Sequence, residues 1–415
     1  MFYSLRFSLP LFIVIVSLFA SCEDSDPDPN DTPSPTDSLM ASVETSPPNT
    51  NYSSAFDGQT RINGVVTETE YTVSVLADGL SSPWGMVNLP DGRILATQKA
   101  GTMRIVSQTG EVSSAISGIP TVNSSGQGGL LDVAVDPDFT NNRMIYWSFS
   151  QDGGDGTATA VAKGRLSDDE TQIENATVIY TAIPEFNSTL HYGSRLAWDA
   201  EGNLFVSTGE RSSTVTRPEA QELDAALGKV LRITTDGEPA SENPFIGQDD
   251  ILPEIYSYGH RNVQGLAIHP STGDLWEAEL GPRGGDEVNL IEPGRDYGWP
   301  TISYGLEYSG DAIGGGLTQQ NGMEQPVYYW DPVVSPSGIT FYTGNMISEW
   351  TDNLFLAALS GQHIVRLVIE DNMVVGEERL LEGQGLRFRD VLEGTDGSLY
   401  ALTDEANGRI FRISL

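Results

Sequence analysis

Ser82–Val106 reads SPWGMVNLPDGRILATQKAGTMRIV: a short apolar run, a turn built from Pro90, Asp91 and Gly92, a β-rich run from Arg93 to Ala96, and then a polar loop. The same order returns along the chain as GGLLDVAVDPDFTNNRMIYWSFS (128–150), GSRLAWDAEGNLFVSTGER (193–211) and QGLAIHPSTGDLWEAELGP (264–282). Two further copies are SGITFYTGNMISEWTDNLFLAALSGQHIVRLVI (337–369) and RFRDVLEGTDGSLYALTDEANGRIFRI (387–413). The turn pairs Asp91-Gly92, Pro137-Asp138, Glu201-Gly202, Thr272-Gly273 and Asp396-Gly397 each fall between strand-like segments, as hairpins require. Repetition on this scale signals radial stacking, so the chain is expected to be all-β, a six-bladed β-propeller of four-stranded antiparallel blades over residues 51–415. The intervals around 210–253 and 300–335 are much longer than the others. Long insertions on one face of a propeller are expected to rim a pocket. One short helix is expected, near Pro218–Leu227.

The chain has 415 residues, a length that one large repetitive β domain can use in full. Its first 22 residues differ from the rest. Arg6 supplies a positive start, Phe7–Phe19 is an apolar core too short for a stable span, and Ala20-Ser21 precede Cys22, the only cysteine. This is an export signal, and Phe19-Ala20-Ser21-Cys22 resembles a bacterial lipobox, which makes Cys22 the expected site of lipidation. Disulfides are excluded. Residues 23–50 are Asp, Pro, Ser and Thr with few apolar side chains, expected to form a disordered tether. The protein is thus expected to be an exported lipoprotein at the periplasmic face or outer-membrane surface of a bacterium, touching the membrane through its anchor only.

The formal net charge is −36, with lysine only at Lys99, Lys163 and Lys229 among 22 basic residues. Such a surface argues against nucleic acid and against adsorption to anionic lipid. Acid excess with little lysine fits a saline setting, where salt screens the self-repulsion.

Histidine is scarce: His191, His260, His269 and His363 are the complete set, which disfavours zinc. The Gly-rich loop GPRGGDE (281–287) offers carbonyls and carboxylates, the ligands a hard cation such as Ca2+ prefers. Arg261 and Asn262 follow His260 and place a cation and an amide beside that loop. His191, in LHYGSRL, has a side chain suited to general-base work near ambient pH, with Glu210 available to orient it. His269 and His363 read as turn or surface residues. Trp330 suits either a pocket wall or the core.

From Tyr52 to the C-terminus the sequence resembles the soluble glucose dehydrogenase and aldose sugar dehydrogenase family, six-bladed propellers that depend on pyrroloquinoline quinone (PQQ). The motifs that carry the resemblance are PWGM with LPDGR, GQGGLLDVAVDPDF, HxGxRL at His191–Leu196, LGKVLRI, GHRNVQGLA, ELGPRGGDEVNLI, DYGWP, SPSGITFYTG and RFRDVLEGTDGSLYALTD. The resemblance implies an oxidoreductase that converts the anomeric hydroxyl of an aldose to a lactone. It makes His191 the base, Glu210 its support where relatives usually have Asp, Arg261 the group that stabilises charge on the reduced quinone, and Asn262 a cofactor ligand. Arg387 and Arg389 match the pair that receives the PQQ carboxylates; they alternate onto one face of a strand, with Asp390 beside them as an available partner. Gly281 and Pro282 match carbonyls that hold the cofactor's calcium with Asp286 in the outer shell. Glu287 and Tyr297 match carbonyls of a second calcium, and Gln127 faces the sugar.

Three positions depart from the family pattern. Ser360 stands where relatives often place Lys, Leu280 replaces a polar residue, and Leu190 replaces an Asp of the glucose enzyme, which favours the broader aldose branch. With no haem motif in the chain, electrons are expected to leave to an external acceptor, a quinone or a cytochrome. Two other readings stand beside this one: a non-catalytic binding propeller that has lost its cofactor, and a calcium-dependent propeller lactonase, which would need a wall of metal-binding carboxylates.

Overall fold

A computed structural model describes residues 40–415. The expected export signal, Cys22 and the expected tether up to residue 39 lie outside the described residues. The expected tether ran to Thr50, yet residues 40–50 lie on the propeller: Met40–Ser42 pairs with Asn63–Gly64, and that strand joins the outer edge of the fifth blade at Glu377. Composition alone hid this docking, because its bonds are polar and come from distant blades.

Six sheets form the ring, and their inner strands pack against one another in sequence order. The inner strands are Pro83–Asn88, Leu130–Val135, Leu196–Trp198, Val263–Ile268, Pro336–Phe341 and Phe388–Glu393. Blades two, three and four are four-stranded antiparallel meanders in chain order. Blade one has three strands, and short bridges at Val112 and Ile116 supply its outer edge. Blade six borrows its outer strand from the other end of the chain: Thr72–Leu80 pairs antiparallel with Gly408–Ser414. That ladder closes the ring with backbone hydrogen bonds, which removes the open edges that a linear stack would leave.

Turn chemistry sets the blade corners as the sequence predicts. Gly92, Gly202, Gly273 and Gly397 all adopt positive φ between the first and second strands of their blades, a conformation that costs glycine little. In blade two the connection is instead a single helical turn, Phe139–Asn142. The helix expected near 218–227 is only the 3-10 turn Arg217–Ala220. Lys229 explains the shortfall, since its buried Nζ donates to the carbonyls of Glu219 (2.7 Å), Ala220 (3.1 Å) and Leu227 (2.8 Å) and draws the segment inward.

Between blades the core is aromatic and aliphatic. Trp147 and Phe149 pack with Leu95 and Ile105, and Trp276, Trp330 and Phe341 pack with Leu354 and Leu356. Each such side chain contributes about 1.5–3 kcal/mol by leaving water. Trp330 is therefore core, with its Nε1 donating to Glu377. His269 and His363 are also buried. His269 sits in a turn as read, where its Nδ1 accepts from the Ser271 and Thr272 amides, whereas His363 begins a strand.

All six inner strands meet at one charged hub. Arg195 reaches Asp132 at 3.0 Å and Asp390 at 3.1 Å, and its Nε donates to the Gln264 carbonyl. The amides of Leu196, Met86 and Val391 complete the two carboxylates. Gly338 is obligatory beside them, because a Cβ there would lie 1.7 Å from Asp390 Oδ1. Burial pushes Asp132 up to about 6 against the pull of Arg195.

Candidate active site

Above this hub lies a cavity of about 290 Å³ whose walls include Trp84, Gln127, Asn262, Leu280, Arg387 and Arg389. Arg195 and Arg389 both stack on Trp84, at 4.5 and 5.7 Å, so the hub and the cavity share one aromatic wall. Arg387 and Arg389 do project to the same side, but their partner is Asp404 rather than Asp390. Arg387 Nε bonds Oδ2 at 2.9 Å and Arg389 Nη2 bonds Oδ1 at 3.0 Å, while Asp390 is committed to the hub. Arg389 Nη1 is further fixed by Gln264 Oε1 at 2.9 Å. Lys99 enters the same wall from blade one and donates to the Gly126 carbonyl; burial and then Arg389 lower its pKa. Three cations against one Asp404 make this wall an anion cradle. Lys99 was not singled out from the sequence, and the ring closure alone brings it to Arg389.

His191 is buried, with Nδ1 2.7 Å from Glu210 Oε1. Its backbone adopts φ 47°, a left-handed conformation that is strained for a non-glycine residue and is held here by Gln127 Oε1, which accepts the His191 amide at 2.7 Å. Burial, and then the nearby Arg261 charge, push the imidazole down to about 4 against the bond to Glu210. The ring is therefore neutral near pH 7, the form that can accept a proton. Asn262 joins the same group, accepting the Gly193 amide through Oδ1 at 3.1 Å.

Arg261 stacks over Trp299 at 5.3 Å, donates Nη1 to the Leu280 carbonyl at 2.7 Å and meets the exposed Tyr308 hydroxyl at 3.4 Å. Its buried Nε has no partner, so the guanidinium retains a donor for an anion. The long 300–335 segment thus does flank the site, and Arg217 ties it to the 210–228 segment through Glu307. Leu280 lines the cavity. Ser360 pairs with Ser335, another wall residue, at 2.7 Å, and Leu190 is exposed beside His191.

Asp286 organises the Gly281–Gly285 loop. Its Oδ1 accepts the Gly281 amide at 2.8 Å and its Oδ2 accepts the amides of Val334 and Ser335 at 2.8 and 2.6 Å, while burial raises it to about 7. Glu287 lies inside a strand paired with both Glu279 and Tyr329, so its carbonyl belongs to the ladder. Its carboxylate instead joins Glu277 and Glu279, which the sequence reading missed. In the strand pair Leu275–Glu279 with Asp286–Ile291, Glu279 faces Glu287 and Glu277 faces Asn289. The alternation in WEAE against DEVN is the signal that could have found them.

Oxygen and nitrogen atoms of His260, Glu277 and Glu279 lie within 4.8 Å of one another. Beside them is a narrow space of about 10 Å³ lined by Glu279, Glu287 and Tyr297, room for one ion or water. Burial, and then repulsion from Glu279, raise both Glu277 and Glu287 well above the usual carboxylate range. Glu277 Oε2 and Asn289 Oδ1 are buried without partners. Such a donor set fits a hard divalent cation such as calcium. The amides of Arg261 and Asn262 both donate to Glu279 Oε2, at 2.5 and 3.1 Å, so this group of carboxylates also fixes the backbone that presents Arg261.

The fold and site define a six-bladed propeller with a buried imidazole–carboxylate pair beside a cationic cavity. Residues 80–412 match the family described as glucose/sorbosone dehydrogenase, and the chain belongs to that family. It is similar to aldose sugar dehydrogenase YliI of Escherichia coli strain K12, 41% identical over 345 residues that cover 82% of this chain and 92% of the relative. A crystal structure of a glucose dehydrogenase, 45% identical, covers 82% of this chain and 99% of its own at a TM-score of 0.80. The PQQ-bound form of an aldose sugar dehydrogenase from Streptomyces coelicolor, 29% identical, covers 84% of this chain and 100% of its own at a TM-score of 0.68.

Proposed function

We propose that the chain oxidises an aldose at its anomeric carbon to the lactone, with calcium and PQQ as cofactors and an external electron acceptor. The observation that carries this reading is the neutral, buried His191 held by Glu210 beside a cavity where Lys99, Arg387 and Arg389 converge. PQQ, when bound, supplies an orthoquinone able to accept a hydride. Lys99, Arg387 and Arg389 would hold its carboxylates, and Arg261 and Asn262 would face its other end. Glu210 fixes the proton of His191 on Nδ1, which leaves Nε2 to take the proton of the anomeric hydroxyl as C1 gives up its hydride. Arg261 offers a fixed positive charge where negative charge accumulates. Gly281, Pro282 and Asp286 would serve the cofactor's calcium, and Glu277, Glu279, Glu287 and Tyr297 a second one.

The carboxylate group gives no support to a lactonase, because Glu277, Glu279 and Glu287 are not among the residues that line the larger cavity. The protein would work outside the cytoplasm, held by a lipid on Cys22. A fatty-acid label that persists on Cys22→Ser would remove that location.

Purified apoprotein supplied with PQQ and calcium tests the activity. Quinone absorbance should survive desalting, and a redox dye should be reduced when aldoses are added. Neither signal appearing would leave a binding propeller as the better account.

A further inference from the structure

Residues 40–65 precede the family match, which begins at residue 80, yet they are fastened to the loop expected to carry the cofactor's calcium. Asp331, only 4% exposed, receives four donors from this arm. The amide and side chain of Asn49 bond Oδ1 at 2.9 and 2.7 Å, and the amide and hydroxyl of Thr50 each bond Oδ2 at 2.9 Å. Arg61 folds the arm into a unit, donating to the carbonyls of Glu44, Ser46 and Asp331. Deeper in, fully buried Gln59 donates to the Pro326 carbonyl and accepts the Tyr304 hydroxyl at 3.1 Å.

Both contacts lead to the 281–286 loop. Asp331 lies so close to Gly284 that a Cβ there would sit 2.6 Å from its carboxylate, and Arg283 Nε donates to Asn49 Oδ1 at 3.2 Å. A few residues further on, the amides of Val334 and Ser335 hold Asp286. Segment 331–335 therefore grips the loop at two points, and the arm grips segment 331–335. Without the arm, a buried carboxylate beside Gly284 would lose all four donors and would draw water into the loop's backing.

We propose that the arm is a clasp whose Asn49 and Thr50 are positioning residues: by satisfying Asp331 they fix the backbone from which Gly281 and Pro282 would offer carbonyls to the cofactor's metal. The inference rests on the proposed calcium and PQQ site for its purpose, but the clasp itself can be tested without either cofactor.

The test uses the full mature chain carrying Asn49→Ala with Thr50→Ala, beside two controls. Thr50→Ser preserves the clasp hydroxyl, and Thr69→Ala removes a side-chain bond to Glu349 from the segment that follows the arm, away from the loop. In apoprotein, hydrogen exchange at the Gly281 and Gly285 amides should accelerate tenfold or more in the double variant and stay at the wild-type rate in both controls. With calcium and PQQ loaded, release of calcium to a chelator should quicken by a similar factor. Unchanged exchange in the double variant, or equal acceleration in Thr69→Ala, would overturn the clasp. Should wild-type protein bind no cofactor, the exchange result alone decides, and the two ideas fail separately.

Discussion

At the propeller axis, Asp132 and Asp390 share Arg195, and every carboxylate oxygen has a donor. One blade away, Glu277, Glu279 and Glu287 gather with no lysine or arginine paired to them among the described residues, and one oxygen has no partner at all. Both groups are buried, but the first gathers at the inner strands whereas the second sits on the second and third strands of blade four, Leu275–Glu279 and Asp286–Ile291. The first has both carboxylates paired as folded, with only Arg195 Nη2 left without an acceptor, and ties six strands together. The second carries a deficit of positive charge that a calcium ion would remove. Buried charge by itself therefore distinguishes nothing; whether the protein has already neutralised it separates a structural hub from a binding site.

The widest separation should come from removing charge in each place. Arg195→Met leaves two buried carboxylates unpaired and should cost about 3–5 kcal/mol in urea unfolding, or prevent folding. A loss below about 1 kcal/mol would mean the hub is not what holds the axis. Glu277→Gln should act in the opposite sense on apoprotein, because it relieves like charge and gives the unpartnered Asn289 oxygen a possible donor. We expect a gain of about 1 kcal/mol without calcium, together with loss of most of the stabilisation that calcium provides. Equal destabilisation with and without calcium would erase the contrast.

Acid titration sharpens it further. Glu277 and Glu287 have pKa values raised above the ordinary 4.5, and Asp286 is raised to about 7. Their neutral forms favour the folded state below the ordinary range, and that advantage fades as pH rises through the folded values. Chelated protein should thus lose stability relative to calcium-loaded protein as pH climbs from about 4.5 through 7. His191 and His363, both lowered to about 4, change in the opposite sense but alike in the two samples. A gap between the two curves that stayed constant across this range would contradict the carboxylate group's role.

Much of this was legible in the sequence, and the reasons are local. The blades announce themselves through short apolar runs and Gly turns, which depend on residues only a few positions apart. His191, Glu210, Arg261, Asn262, Arg387 and Arg389 were named through motifs, and the ring places them around one cavity or beside it. What escaped depends on partners far apart in the chain. Asp404, the partner of both arginines, cannot be told from Asp390 until the strand pairing is known. The hub needs Asp132, Arg195 and Asp390 from three blades, and the arm's grip on Asp331 spans 282 residues. Glu277 and Glu279 were hidden for another reason: a strand with two buried glutamates reads as a solvated edge unless its partner strand is known to add a third.

The central claim is that His191 removes the proton in a site that already holds its cofactor. Rapid mixing of PQQ- and calcium-loaded protein with an aldose measures it most directly, by following the quinone absorbance in a single turnover for wild type and His191→Ala. The account predicts that the variant keeps its quinone but reduces it at least about 10²-fold more slowly, with the wild-type rate falling only as pH drops toward about 4. Reduction by His191→Ala at the wild-type rate would contradict it.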